Sequence, residues 1–369
     1  MDERNGSILL MPLAGMEGFA AKIKEHLESI APGTTCYILP VELPRFSTGD
    51  AKAVLNRSVR GRDAYIIVDV GNYGCEYKMF GRQVCMSPDE HFQNLIRTLS
   101  AIDGKAERVN VISPLLYSER QDRKITRESL DCAVALQQLA GIGVANIMAF
   151  DVHDDRVQNA IPFVGFDILM PIYQTIKAMN RKYPDIKFDE DNLVVVSPDF
   201  GGMSRNFGYA NELDVDLGVF YKRRSRSKFV NGRYEVEVHK YIGPDVAGKD
   251  VLLVDDIIAS GDTMLDSVYK LKESGARRVF VAATFGFFTE GIAKYNRAHA
   301  DKVLEAVFIT NASYRRPEIT NAPWYCEVDI QKYIAYYIYS VNAGKSISAI
   351  MDPHGKIQAL LNKARSQDK

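Results

Sequence analysis

Residues 251–264, VLLVDDIIASGDTM, set two adjacent carboxylates, Asp255 and Asp256, directly after an apolar run, then a small polar turn and Thr263. The apolar run reads as a buried strand. Thr263 and Asp266 have the spacing of a capping box, so a helix is predicted to begin near Thr263. The turn Ala259, Ser260, Gly261, Asp262, Thr263 then lies at a helix N-terminus. Amides without intrahelical acceptors point outward there and favour an anion such as a phosphate. Asp255 and Asp256 would repel that anion, but they suit hydroxyl groups beside it or a divalent cation. A sugar phosphate meets both requirements. The blander reading is a strand-to-helix turn with surface acids, and the length of the motif weighs against it.

Other stretches carry charge in unusual density. Residues 222–228, KRRSRSK, hold five cations in seven positions, including Lys222 and Arg224. Such a run can be a basic surface patch for nucleic acid. The chain as a whole argues otherwise, with 46 Lys and Arg against 47 Asp and Glu and a net charge of -1. That balance exerts no global pull toward nucleic acid or an anionic membrane. His153, one of six histidines, stands among Asp151, Asp154 and Asp155. Two further motifs are decoys. GIGVAN (141–146) ends in Asn146 and lies between a helix and a strand, the wrong order for a dinucleotide fingerprint. GKS (344–346) lacks the P-loop glycine, because Tyr339 stands five positions before Gly344.

These residues need elements to hold them. Continuous apolar runs at 64–70, 108–116, 146–152, 192–199, 250–256 and 278–285 read as strands buried on both faces of a parallel sheet. Helix-period stretches at 128–143 and 263–275 lie between them, so the class is α/β. A length of 369 residues suits about two domains. The strand pattern restarts between Asp151 and Leu193, across a region containing Pro162, Pro171 and Pro184. The expected domains are therefore 1–167 and 168–369. Asn231-Gly232 between β-prone runs predicts a hairpin over 228–238. Five scattered cysteines make no disulfide framework and fit a reducing cytoplasm. The first residues make a poor secretory signal, and the apolar stretch from Tyr333 is far too short to span a membrane.

The opening motif resembles the phosphoribosyl diphosphate motif of type I phosphoribosyltransferases and of ribose-phosphate diphosphokinases. The remaining motifs point to the diphosphokinases, and they follow that family's order. RFSTGD (45–50) with SVRGRDAYII (58–67) resembles its nucleotide-binding element, and SERQDRK (118–124) its Arg-Gln-Asp segment. FDVHDDRVQNAI (150–161) resembles its Asp-x-His loop, VSPDFGG (196–202) its Ser-Pro-Asp-x-Gly-Gly loop, and YKRRSRSK (221–228) its catalytic flexible loop.

The resemblance implies two similar phosphoribosyltransferase-type (type I) domains, each a mostly parallel sheet flanked by helices. It implies Mg2+-dependent transfer of the diphosphoryl group of ATP to the C1 hydroxyl of ribose 5-phosphate, with release of AMP. Such a transfer requires neutralisation of phosphate charge more than a covalent catalyst. By that pattern Lys222, Arg224 and His153 are catalytic. Phe46, Thr48, Asp50, Arg120, Gln121 and Asp122 bind ATP, with Phe46 and the Arg120 guanidinium on the faces of the adenine. Asp255, Asp256, Ala259, Ser260, Gly261, Asp262, Thr263, Gly201 and Gly202 bind ribose phosphate. His153, Asp199 and Asp151 hold the metal. The family's ATP site lies between subunits, which implies a homo-oligomer, a hexamer built from dimers. A phosphoribosyltransferase and a catalytically weak regulatory paralogue are the alternative readings.

The chain also departs from the family pattern. It has Ala259 where an aspartate is usual, Asp262 in place of a small residue, and Thr48 in place of Asn or Asp. IPFVGF follows His153 where carboxylates are expected, and the segment 71–86 is longer than usual. Asp262 inside a phosphate loop requires either that its carboxylate point outward or that the sugar carry something other than a bare dianionic phosphate.

Overall fold

The structure is a computed structural model that describes residues 6–230 and 233–367, with the backbone alone for 222–239 and 364–367. The chain opens with β1 (Ser7–Pro12), α1 (Glu17–Ile30) and β2 (Cys36–Ile38), then crosses a long loop to β3 (Arg62–Ile67). A small hairpin follows, β4 (Glu76–Met79) and β5 (Arg82–Cys85). After it come α2 (Pro88–Ile102), β6 (Arg108–Ile112), α3 (Asp131–Ile142), β7 (Asn146–Phe150), a 3-10 turn (Asp155–Ala160) and β8 (Gly165–Leu169). The strands order as β2-β1-β3-β6-β7-β8, and every neighbouring pair is parallel. Each apolar run predicted as a strand overlaps one, although the runs at 64–70, 108–116 and 146–152 reach past the strand ends, and the central residues are buried on both faces, as Tyr65, Ile66 and Ile67 are in β3.

A second sheet follows the same logic. Its elements are α4 (Ile172–Lys182), β9 (Leu193–Ser197), α5 (Met203–Leu213), β10 (Asp216–Val230), β11 (Arg233–Ile242), β12 (Asp250–Ile258), α6 (Asp262–Glu273), β13 (Arg278–Gly286), α7 (Ala293–Ala300), β14 (Ala306–Thr310), α8 (Pro317–Thr320) and β15 (Tyr325–Val328). The order is β11-β10-β9-β12-β13-β14-β15. Only the β10–β11 pair is antiparallel. The predicted hairpin is this pair, although its turn residues Asn231 and Gly232 lie outside the described residues. Trp324, Phe288 and Tyr295 form an aromatic cluster in the core under this sheet.

The chain ends with α9 (Gln331–Asn342), α10 (Ser348–Met351) and α11 (His354–Gln367). Met1–Met170, Asn311–Tyr314 and Asp329–Asp352 form one compact unit, and Pro171–Thr310, Arg315–Val328 and Pro353–Lys369 the other. Helix α9 therefore belongs with the first sheet. It contains the apolar stretch from Tyr333, and among the described residues no helix is long and apolar enough to cross a membrane.

What holds α9 there is a buried carboxylate. Asp63 in β3 is fully buried. It receives Arg108 Nε and Nη2 at 2.9 and 2.7 Å, Asn110 Nδ2 at 2.8 Å and the Tyr65 hydroxyl at 2.6 Å. Asn342 Nδ2, at the end of α9, donates to it at 2.9 Å, and Arg108 Nη2 also donates to the Val341 carbonyl at 3.0 Å. A buried carboxylate needs this degree of satisfaction to be tolerated.

Candidate substrate and nucleotide sites

In the second sheet β9 and β12 are neighbours, yet β9 leads outward to β10 and β12 leads the other way to β13. Their adjacent C-terminal ends form a topological switch point, the place where open α/β sheets leave a crevice for ligands. The loop 198–202 leaves β9 there and the loop 259–261 leaves β12. Asn206, buried in α5, ties the two strand ends together. Its Nδ2 lies 3.1 Å from Ser197 Oγ, 2.8 Å from the Gly202 carbonyl and 3.0 Å from the Val254 carbonyl. Within the first loop, Ser197 Oγ donates to the Asp199 carbonyl at 2.6 Å, and the Gly202 amide donates to Asp199 Oδ1 at 3.2 Å.

Asp255 and Asp256 sit at this mouth. Arg205, nearly buried in α5, reaches both, with Nη1 3.7 Å from Asp255 Oδ1 and Nη2 3.3 Å from Asp256 Oδ2. Asp256 is buried, while 27% of the Asp255 side chain still meets solvent. Loss of water, reinforced by the Asp256 charge, raises the Asp255 carboxyl well above its ordinary value, and Arg205 opposes the shift. The pair thus offers acceptors to hydroxyl groups, with one cation balancing two acids.

The phosphate turn differs from the predicted one at its start. Helix α6 begins at Asp262, its N-cap is Gly261, and no side chain caps it. The Thr263–Asp266 capping box is therefore corrected. The reason is the backbone: Gly261 takes a left-handed φ of 83° that ends the strand and turns directly into the helix. A Cβ there would stand 2.6 Å from the Tyr295 ring, whose hydroxyl donates to the Gly261 carbonyl at 3.2 Å. With no side chain at the cap, the first amides of α6 are left for a ligand. Asp262 is partly exposed and paired with Lys294 on α7, whose Nζ lies 2.5 Å from Asp262 Oδ1. The structure thus brings Asp199, Gly201, Gly202, Asp255, Asp256 and residues 259–263 to one crevice, and takes the outward branch for Asp262.

The nucleotide candidates lie in the first unit. Loop 45–50 closes on itself, with the Phe46 amide donating to the Asp50 carbonyl at 2.8 Å and Thr48 Oγ1 to Asp50 Oδ2 at 2.9 Å. Phe46 is 56% exposed, an apolar ring left free for a partner. Arg120 and Asp122 lie in the irregular segment before α3, with Arg120 exposed. Gln121 has a structural task as well, since its Oε1 accepts the Asp131 amide at 2.9 Å at the start of α3. Asp151 is buried just after β7 with a left-handed φ of 46°. His153 is exposed beyond it, and Asp154 is engaged by Arg156, which holds its carboxyl down to about 2. Lys222 and Arg224 fall within β10, paired across to His239 and Val236, and not in a loop as the resemblance implies. Their side chains lie outside the described residues.

Sequence reading missed Arg205, Asn206, Lys294 and Tyr295. Arg205 and Asn206 fall at the start of a helix, and nothing local separates inward polar residues from solvent-facing ones. Lys294 and Tyr295 lie 32 and 34 positions from the residues they touch. The segment 71–86 now has a form, since it contains the hairpin β4–β5.

A switch-point crevice with paired acids and a helix N-terminus, on the second of two mostly parallel sheets flanked by helices, defines the phosphoribosyltransferase (type I) class of α/β protein. Residues 168–315 match the phosphoribosyl transferase domain family, and residues 8–143 match the N-terminal domain of ribose phosphate pyrophosphokinase. The sequence is 30% identical to the ribose-phosphate pyrophosphokinase of Pasteurella multocida, over 83% of this chain and 89% of that one. It is 29% identical to that of Bradyrhizobium diazoefficiens, over 95% of this chain and 100% of the other. The fold matches the crystal structure of phosphoribosylpyrophosphate synthetase from Mycobacterium smegmatis with a TM-score of 0.73 at 23% identity, covering 91% of this chain and 99% of that one. The chain belongs to the ribose-phosphate pyrophosphokinase family and is an enzyme of that class.

Proposed function

We propose that the protein transfers the diphosphoryl group of ATP to the C1 hydroxyl of ribose 5-phosphate, giving 5-phosphoribosyl 1-diphosphate and AMP. The observation that carries this reading is the crevice between β9 and β12. There, uncapped amides of α6 stand beside the Asp255–Asp256 pair, which is balanced by Arg205 at 3.7 and 3.3 Å. The amides around Ser260, Gly261, Asp262 and Thr263 hold the 5-phosphate, and Ala259 leaves the turn open. Asp255 and Asp256 accept hydroxyl groups of the ribose. Gly201 and Gly202 let the backbone approach the diphosphate.

ATP binds through loop 45–50 and the 120–122 segment. Phe46 stacks on the adenine with Arg120, and Thr48, Asp50, Gln121 and Asp122 supply polar contacts. The C1 oxygen forms its bond to the β-phosphorus as the bond from that phosphorus to the bridging oxygen breaks; AMP leaves with that oxygen, and the hydroxyl proton passes to solvent. Lys222 and Arg224 neutralise charge on the transferring group.

Mg2+ keeps several waters and takes one or two carboxylates together with substrate phosphates. Among the described residues no three His, Cys, Asp or Glu side chains converge on a metal site. Single donors such as Asp151, Asp199 and His153 fit an ion held mainly by phosphates. When bound, Mg2+ supplies charge neutralisation. We place the enzyme in a reducing cytoplasm as a homo-oligomer with no nucleic-acid or membrane partner.

The test is to incubate purified protein with ATP, Mg2+ and ribose 5-phosphate and to separate the nucleotides. AMP is expected in equal amount to phosphoribosyl diphosphate. ADP alone, or no turnover at any phosphate concentration, rejects the reading. Pyrophosphate release from added phosphoribosyl diphosphate and a free base, with no AMP from ATP and ribose 5-phosphate, would instead mark a phosphoribosyltransferase.

A further inference from the structure

The hairpin β4–β5 takes no part in the reaction as proposed, yet it is built onto loop 45–50. Arg45, at the root of that loop, has a side chain only 9% exposed. Its guanidinium carbon lies 4.2 Å over the centroid of the Tyr77 ring in β4. Its Nη1 donates to the Gly49 carbonyl at 3.0 Å and lies 3.4 Å from Glu90 Oε1. Its Nε and Nη2 are buried with no acceptor among the described residues, so the ring face of Tyr77 replaces water for that edge of the cation.

Tyr77 is itself fixed, because its hydroxyl donates to the Glu90 carboxylate. Glu90 also accepts the Ser87 amide at 2.8 Å in the capping box that starts α2. Burial works against ionisation of Glu90, but the Tyr77 hydroxyl, the Ser87 amide and the Arg45 charge outweigh it and hold its carboxyl below the usual range.

The hairpin tip adds a second attachment. The Phe80 amide donates to the Ser47 carbonyl at 2.9 Å. Gly49 has a left-handed φ of 99°, and a Cβ there would stand 2.6 Å from Met79 Sδ. The turn Phe80-Gly81 has φ values of 45° and 78°, both positive as a two-residue hairpin turn of type I′ requires. A phenylalanine is a poor residue for that conformation, so the tip is not optimised for the hairpin alone. One face of the loop is thus clamped by β4, the Phe80 turn and α2, while Phe46 is left exposed.

We propose that the hairpin is a positioning element for the nucleotide site: Tyr77, acting through Arg45, holds loop 45–50 in the conformation that presents Phe46, Thr48 and Asp50 to ATP. The inference rests on the reading of that loop as the ATP site. A loop ordered before binding loses less conformational freedom when the ligand arrives, and the gain appears as affinity for that ligand alone. Tyr77 is a positioning residue and touches neither substrate.

The experiment compares wild type, Tyr77→Phe and Tyr77→Ala in initial-rate assays of AMP formation, varying ATP and ribose 5-phosphate separately, with Tm measured alongside. Tyr77→Ala is expected to raise KM for ATP about tenfold, the effect of losing one partly desolvated cation–ring contact. Its kcat and its KM for ribose 5-phosphate stay within about twofold of wild type, because the ring acts only on ATP affinity. Tyr77→Phe falls between, since it keeps the ring over Arg45 and loses the hydroxyl on Glu90. An unchanged KM for ATP in Tyr77→Ala overturns the proposal. So does a parallel loss of kcat, both KM values and Tm, which marks general damage. If wild type forms no AMP, the reaction as read has failed, and calorimetric titration of ATP into the same three proteins decides the hairpin's role. Weaker binding by Tyr77→Ala supports it; equal affinity, or no binding by wild type, overturns it.

Discussion

Lys294 Nζ lies 2.5 Å from Asp262 Oδ1, joining the first turn of α7 to the first residue of α6. A residue that departs from the turn's family resemblance is thereby paired with a cation from another helix. A carboxylate facing inward would repel a phosphate; one paired with Lys294 adds no net charge to the rim.

Lys294→Met is expected to raise KM for ribose 5-phosphate about two- to fivefold, a size set by the exposure of both side chains. Adding Asp262→Gly to that variant returns KM to the wild-type value. Steady-state rates in low salt check both, and an unaltered KM in the single variant removes Lys294 from this role.

Asp255 binds its proton more tightly than a free carboxyl. The ionised form offers both oxygens as acceptors to sugar hydroxyls, whereas the protonated form turns one of them into a donor. KM for ribose 5-phosphate should therefore fall as pH rises through the raised pKa. Asp255→Asn should flatten that dependence. Arg205→Met removes the opposing charge, so its profile should move to higher pH. For stability the sign is reversed: the native state holds the extra proton, so this group's contribution is full below the unfolded pKa and is lost as pH rises through the folded one. A pH series of KM, run beside thermal melts, reads both.

Gly261→Ala places a Cβ in a left-handed backbone and 2.6 Å from the Tyr295 ring. The expected destabilisation is about 2–4 kcal/mol, from backbone conformation and overpacking together. Calorimetry measures it. Ribose 5-phosphate affinity should fall with it, while ATP affinity, under the proposed assignment of ATP to the first unit, should hold.

Arg108→Met strands the fully buried Asp63 carboxylate and is expected to cost about 3–5 kcal/mol. Asn342→Ala removes one of its donors and should cost about 1–3 kcal/mol. Hydrogen exchange should show α9 losing protection with β3 and β6. Loss confined to α9 would mean that Asp63 does not couple the helix to the sheet.

Lys222→Ala should lower kcat by roughly 100-fold, the effect of losing one preorganised charge at a transition state. ATP binding should remain measurable by titration. An unchanged kcat excludes Lys222 from the chemistry. Arg120→Ala should instead weaken ATP binding, through loss of the stacked guanidinium.

The sequence alone determined the strands that carry the site. Runs such as residues 251–254 and 193–196 are apolar at every position because both faces of a parallel strand are covered, and that requirement is local. It also located the turn 259–263 at a helix N-terminus, since a small polar turn between strand and helix leaves few other conformations. The Thr263–Asp266 capping box would make Thr263 the N-cap and start α6 two residues late. Gly261, freed to a left-handed φ by its lack of a Cβ, starts the helix instead.

Tertiary structure decided the direction of each side chain and the partner of each stray segment. Asp262 turns outward because Lys294 is there, 32 residues on; Asp63 and Asn342 meet across 279. The segment 71–86 looked like an unexplained insertion because Tyr77, Arg45 and Glu90 form one contact only after the loop, the hairpin and α2 have been packed. Periodicity and turn chemistry report on a few neighbouring residues. A buried charge is satisfied by whichever donors the fold brings to it, and their distance along the chain leaves no local trace.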